Sequence, residues 1–71
     1  MTTLKQKRIK ANLTQKEMAE QAKISVRQYI RIENGERLTD ILTAYRIAQR
    51  LNSTIEDCFR DYFIIEDKIS Q

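Results

Sequence analysis

One face of a short helical segment, residues 24–34, carries two arginines and two amide side chains. At about 100° per residue, Arg27, Arg31 and Asn34 share that face, and Gln28 lies at its edge. A guanidinium can form two parallel hydrogen bonds with guanine or with a phosphate, and an amide can pair with adenine. These residue types therefore indicate hydrogen bonding to base edges or to phosphates.

The opposite side of the same segment is the side that we expect to face a core. Ser25, Tyr29 and Ile32 cluster there, with Ile24 leading into the helix. The pair Asn34-Gly35 tolerates the left-handed conformation that ends helices, so the helix should stop there. A helix with one buried and one polar face needs a body to hold its buried face.

A capping box, a reciprocal pair of hydrogen bonds at a helix start, predicts another helix before this segment. Thr14 can accept a hydrogen bond from the amide of Glu17, and Glu17 can reach back to the amide of Thr14, so a helix should begin at Gln15. Ser25 and Gln28 repeat this capping box for the second helix. The first of the two helices presents small and apolar residues at helical spacing, Met18, Ala19 and Ala22, which allow a close crossing.

The pattern extends over roughly residues 4–59 and resembles the Cro and phage-repressor type of helix-turn-helix family, the lambda-repressor-like DNA-binding domains. The matching positions are Leu13-Thr14-Gln15, Glu17-Met18-Ala19, Ile24-Ser25, Tyr29, Arg31-Ile32-Glu33, Gly35, Ile41, Ile47-Ala48 and Leu51.

The resemblance implies roles for individual residues. The helix matching 25–33 would enter the major groove of DNA, and the helix matching 15–22 would lie across the backbone. The residues expected at base edges are Val26, Arg27 and Arg31. Those expected at the DNA backbone are Gln15, Gln28, Asn34 and Arg37.

Two further positions have structural interpretations. By resemblance, Arg8 forms an ion pair with Glu33; the other reading of Arg8 is a surface residue that binds phosphate. We favour the pair because a semi-buried Glu33 would otherwise lack a partner. Lys23 stands where the family usually has Gly at the turn, so a side chain there carries a steric cost and the turn is expected to be slightly altered.

The remaining chain completes an all-α, five-helix domain over residues 1–59. The first helix is expected over Leu4 to Ala11, with Asn12 as a left-handed stop. A short fifth helix should start at Thr54. The fourth helix, 41–51, presents an apolar set at helical spacing that we expect to form core: Ile41, Ala44, Ile47, Ala48 and Leu51.

Residues 60–71 form a separate C-terminal tail in this prediction. Its apolar run has both helical spacing and β-prone residue types, so helix and strand both stay open. If this apolar run were exposed to solvent, it would promote aggregation. It therefore either covers the domain's own core or forms a contact between subunits. We favour a homodimer contact because this class reads two half-sites with a two-fold dimer. The residues concerned are Tyr62, Phe63, Ile64 and Ile65.

Composition narrows the function classes. The 71 residues include no His and one Cys, Cys58, so we expect no zinc site, no cofactor and no disulfide, with Cys58 as a small buried hydrophobe. Residues 1–37 hold nine Lys and Arg against four Asp and Glu, a net of +5, whereas the remainder has a net of −2. That asymmetry is consistent with one basic surface that binds a polyanion. With no long apolar run and no secretory signal, we expect a cytoplasmic protein.

Three functions from different classes follow. The first, implied by the resemblance, is a sequence-specific double-stranded DNA-binding regulator, a repressor of phage, mobile-element or bacterial type that binds its operator as a homodimer. The second is a protein-interaction module such as the antitoxin of a toxin-antitoxin pair, with a protein partner on the tail. The third, an enzyme, is disfavoured because no catalytic constellation is present in the sequence.

Overall fold

The computed structural model describes residues 2–61, and all of the regular structure in this range is helical. The five helices are α1 (Thr3–Lys10), α2 (Gln15–Ala22), α3 (Val26–Glu33), α4 (Ile41–Arg50) and α5 (Ile55–Cys58). The predicted all-α, five-helix architecture is therefore confirmed. The expected tail contact at Tyr62–Ile65 lies outside the described residues.

Helices α2 and α3 begin where the capping signals predicted. The Thr14 hydroxyl accepts from the Glu17 amide at 3.0 Å, and the Thr14 amide donates to Glu17 Oε1 at 2.8 Å. In α3 the amide of Gln28 donates to Ser25 Oγ at 3.1 Å, and Gln28 Oε1 accepts from the Ser25 amide at 3.3 Å. Each box satisfies amides that the first turn of a helix leaves unpaired.

Left-handed residues end the helices and set the turns. Asn12 has φ 63°, as expected for a stop after α1, and Lys23 has φ 61° between α2 and α3. Lys23 therefore keeps the left-handed geometry, with the steric cost of a side chain there. The end of α3 differs in one detail, because Asn34 stays right-handed at φ −80° and Gly35 alone turns left-handed at φ 79°.

The core lies where α2, α3 and α4 pack together, and α1 and α5 close it. Tyr29, Met18 and Ile47 are fully buried at its centre. Cys58 is also buried, and burial raises the pKa of its thiol, as befits a small apolar core residue. The placement of Ser25 on the core side was wrong, because this N-cap residue is exposed while its hydroxyl holds the first turn of α3.

Helix α4 faces the core with a different set of residues than predicted. The prediction that Ile41 lies in the core was wrong, since this side chain is 79% exposed. Thr43 is buried instead, together with Ala44, Ile47 and Ala48. Ile41 is the first residue of α4, and by helical periodicity it lies at the edge of the buried arc.

The two ends of the described chain are joined by hydrogen bonds. The amide and hydroxyl of Thr3, at the start of α1, donate to the two carboxylate oxygens of Asp61, each at 3.0 Å. A carboxylate at a helix N-terminus is favourable because the first amides are unpaired there. Within the described range, no helix has the length and hydrophobicity to cross a bilayer.

Candidate nucleic-acid interface

The outer face of α3 presents the arginines that the sequence singled out. Arg27 and Arg31 are exposed, and among the described residues no hydrogen bond or ion pair occupies either guanidinium. Val26, in the first turn, is 39% exposed and lies at the edge of this face by helical periodicity. All three expected base-edge residues are therefore accessible.

The inner face of α3 is held by a polar cluster around the buried carboxylate of Glu33. Arg8 Nε donates to Glu33 Oε1 at 2.6 Å, so the pair expected from the sequence is present in the structure. Gln15 Nε2 donates to Oε2 at 2.8 Å, and the Tyr29 hydroxyl donates to Oε1 at 2.9 Å. Since Arg8 and Gln15 belong to α1 and α2, one carboxylate connects three helices.

Burial and hydrogen bonding oppose each other at Glu33. Burial alone would raise the pKa of this carboxyl, but the hydrogen bonds from Arg8, Gln15 and Tyr29 outweigh it, and the pKa lies below its usual range. Burial and the neighbouring carboxylate raise the pKa of Tyr29, which keeps its phenol protonated as a donor. Glu33 is therefore ionised, and its charge is balanced inside the domain.

A second hydrogen bond that holds the end of α3 was not predicted from the sequence. The hydroxyl of Thr2 donates to the main-chain carbonyl of Glu33 at 2.6 Å, and the same oxygen accepts from the Lys5 amide to cap α1. Thr2 thus fixes the start of α1 against the end of α3. The available signal was a threonine two residues before the expected start of the first helix at Leu4, because threonine is a favoured N-cap residue.

The four residues expected at the DNA backbone do not form one cluster. Gln28 and Arg37 line the same hollow, of about 180 Å³, between α3 and the start of α4. Asn34 lines another, with Thr2, Lys5 and Asp61, beyond the end of α3. Gln15 is half-buried, and its amide is bonded to Glu33, although the second hydrogen on Nε2 is a further donor.

A family model described as helix-turn-helix matches residues 4–58, which include α2, the turn at Lys23 and α3. The chain belongs to this family. The match is to the Cro and C1 type, so this helix-turn-helix protein is a DNA-binding regulator in the general sense. No curated protein and no solved structure matches the chain significantly.

Proposed function

We propose that this helix-turn-helix protein is a sequence-specific repressor of phage, mobile-element or bacterial type, acting in the cytoplasm. It binds a two-fold symmetric operator as a homodimer, with α3 of each copy in the major groove. The observation that carries the proposal is the accessibility of Arg27 and Arg31 on a helix whose reverse side is fixed by the Glu33 cluster. A rigidly held helix with free guanidiniums suits bidentate pairing with guanine.

Base recognition is proposed for three residues of α3. Arg27 and Arg31 lie one helical turn apart, about 6 Å along the axis, so their guanidiniums can reach neighbouring base pairs. Val26 offers methyl groups to the C5-methyl of thymine. Because Gln28 uses its amide oxygen in the cap of α3, we assign it no base and keep it at the backbone.

Backbone contacts are proposed for the residues around this face. The amide nitrogen of Gln28 and the guanidinium of Arg37 flank one hollow and would bind phosphate there. Asn34 would bind a phosphate at the other end of α3. Gln15 would use its second amide hydrogen for phosphate while its first holds Glu33. Phosphate contacts of this kind predict that affinity falls steeply with salt.

Random-site selection with the purified full chain tests this proposal. The expected result is a two-fold symmetric sequence whose half-sites contain guanine. Recovery of a single asymmetric half-site would contradict the homodimer, and a pool indistinguishable from the input would contradict sequence-specific binding. The family match does not favour the other candidate, an antitoxin-like interaction module, so we do not propose it.

A further inference from the structure

Helix α4 has an apolar face that none of the described residues covers. Leu38 in the preceding loop is 72% exposed, Ile41 is 79% exposed, and Leu42 and Tyr45 are just over half exposed. We call these four residues the outer α4 face. Leu42 and Tyr45 lie away from the side of α4 that is buried in the core, and Ile41 lies at the edge between the two sides. Neighbouring exposed apolar side chains of this size mark interaction surfaces.

An open groove adjoins this face at the carboxyl end of α4. Its volume is about 410 Å³, and it runs between α4 and the start of α5. Tyr45 forms one wall and Ile55 lies on the α5 side. Glu56 is the one charged residue in its lining, which otherwise consists of Tyr45, Ala48, Gln49, Asn52, Ser53, Thr54 and Ile55. One chain therefore carries a protruding apolar end and a largely uncharged hollow on the same side.

We infer that the outer α4 face binds a second copy of this chain through an antiparallel, two-fold contact of the two α4 helices. This inference rests on the homodimer in the proposed function and assigns its surface. Ile41 lies four residues before Tyr45, and Gln49 lies four residues after it. With the axis at Tyr45, Ile41 of each copy meets the groove beside Gln49 of the other. Every contact is then made twice, as a two-fold interface requires.

Charge favours a second copy over a polyanion on this face. The four residues of this face carry no charge, whereas Arg27 and Arg31, which we assign to DNA bases, lie on α3; Arg37, assigned to a phosphate, directly precedes Leu38 at the edge of the face. The centre of a homodimer interface is typically apolar and poor in charged residues. The outer α4 face begins at Leu38, five residues after the end of α3.

The oligomeric state of the full chain tests this assignment. Sedimentation equilibrium should be measured for the unchanged chain, Ile41→Glu and two controls. Ile41→Glu places a carboxylate at the first position of α4, where a helix tolerates it well, so the monomer keeps its fold. It should weaken dimerisation at least about 100-fold, because an unpaired charge would enter each groove. Ile9→Glu changes another exposed isoleucine, 49% exposed on α1, and should leave the dimer intact.

The second control, Phe63→Glu, tests the other apolar region of the chain. A monomeric Ile41→Glu with dimeric Ile9→Glu and Phe63→Glu supports the outer α4 face. A dimeric Ile41→Glu overturns it while the homodimer stands, and loss of the dimer in Phe63→Glu alone assigns the contact to the tail. A chain that stays monomeric with and without its selected DNA overturns the homodimer itself.

Disulfide trapping tests the antiparallel register. Combining Ile41→Cys with Gln49→Cys should give covalent dimers on mild oxidation, because the two positions face each other across the axis within disulfide reach. Either single substitution should give far less. Equal trapping in the single variants, or none in the double variant, would overturn this register.

Discussion

The two faces of α3 differ in how their polar groups are satisfied. On the inner face, the carboxylate of Glu33 is buried and accepts hydrogen bonds from Arg8, Gln15 and Tyr29. On the outer face, Arg27 and Arg31 are exposed and have no partner among the described residues. The inner groups determine where the helix lies, and the outer groups are left for a ligand. A change on one face should therefore affect stability, and a change on the other should affect binding.

The largest effect is expected from Arg8→Ala, which should lower the free energy of unfolding because it leaves the buried Glu33 carboxylate without its ion-pair partner. Breaking a buried ion pair costs about 3–5 kcal/mol, a large part of the stability of a small domain. Urea denaturation followed by circular dichroism would measure the free energy of unfolding. Lys10→Ala, an exposed residue of the same helix, should change it by less than about 0.5 kcal/mol. Equal stability of the two variants would show that the inner face does not depend on this pair.

Arg31→Ala should leave folding intact and weaken DNA binding. Loss of one bidentate base contact costs about 1–3 kcal/mol and relaxes the preference at one position of the site. Fluorescence anisotropy with the selected duplex and its single-base variants would measure both effects. Arg37→Ala is the matched control; because we propose that Arg37 binds phosphate and not a base, this variant should weaken binding to all duplexes by a similar factor. An unchanged base preference in Arg31→Ala would remove this residue from the base-reading set.

Lys23→Gly, in the turn between α2 and α3, should raise the free energy of unfolding by about 1 kcal/mol. Lys23 has φ 61°, which glycine adopts without the steric cost of a side chain. The thermal midpoint should rise by roughly 4–8 °C. The opposite sign is expected for Glu20→Gly, which puts glycine inside α2 and costs about 1 kcal/mol. Destabilisation by Lys23→Gly would mean that the lysine side chain makes a contact worth more than the strain.

The smallest effect concerns acid stability. The pKa of Glu33 is lower in the folded chain, so the unfolded chain binds its proton first. Its contribution to stability is full above the ordinary pKa of a glutamate, about 4.3, and is lost as the pH falls through the folded value. The caps also lower the pKa of Glu17 and Asp40, and the acid loss therefore has several sources. Gln15→Ala removes one hydrogen-bond donor to Glu33. The free energy of unfolding of this variant should therefore fall less steeply than that of the unchanged chain as the pH is lowered. Identical slopes in the two proteins would contradict this.

Local signals in the sequence predicted the helix-turn-helix well. The two capping boxes depend on residues three positions apart, and the left-handed turns depend on single residues, so neither needs knowledge of the tertiary structure. The position of Arg8 beside Glu33 came from the family resemblance. The outward direction of Arg27 and Arg31 followed from helical periodicity once Tyr29 and Ile32 were assigned to the core.

The burial of residues at helix ends and the contacts between residues distant in the sequence were not predictable, because both depend on how the helices pack. Ile41 has the spacing of a core residue, but it lies at the edge of the buried arc of α4 and is exposed, whereas Thr43 in the same turn is buried. Asp61 was placed in the tail, yet it binds Thr3, 58 residues earlier, and no local pattern encodes that contact. The family resemblance implied a phosphate contact for Gln15, whereas its hydrogen bond to Glu33 depends on how α2 and α3 cross.

The contrast between the two faces can be measured directly by NMR on the arginine Nε–H groups while the selected duplex is added. The signals of Arg27 and Arg31 should shift in a saturable way, because their guanidiniums move from water to base edges. The signal of Arg8 should stay in place, held by Glu33. Saturable binding that shifts Arg8 and leaves Arg27 and Arg31 unchanged would contradict the assignment of the outer face to DNA.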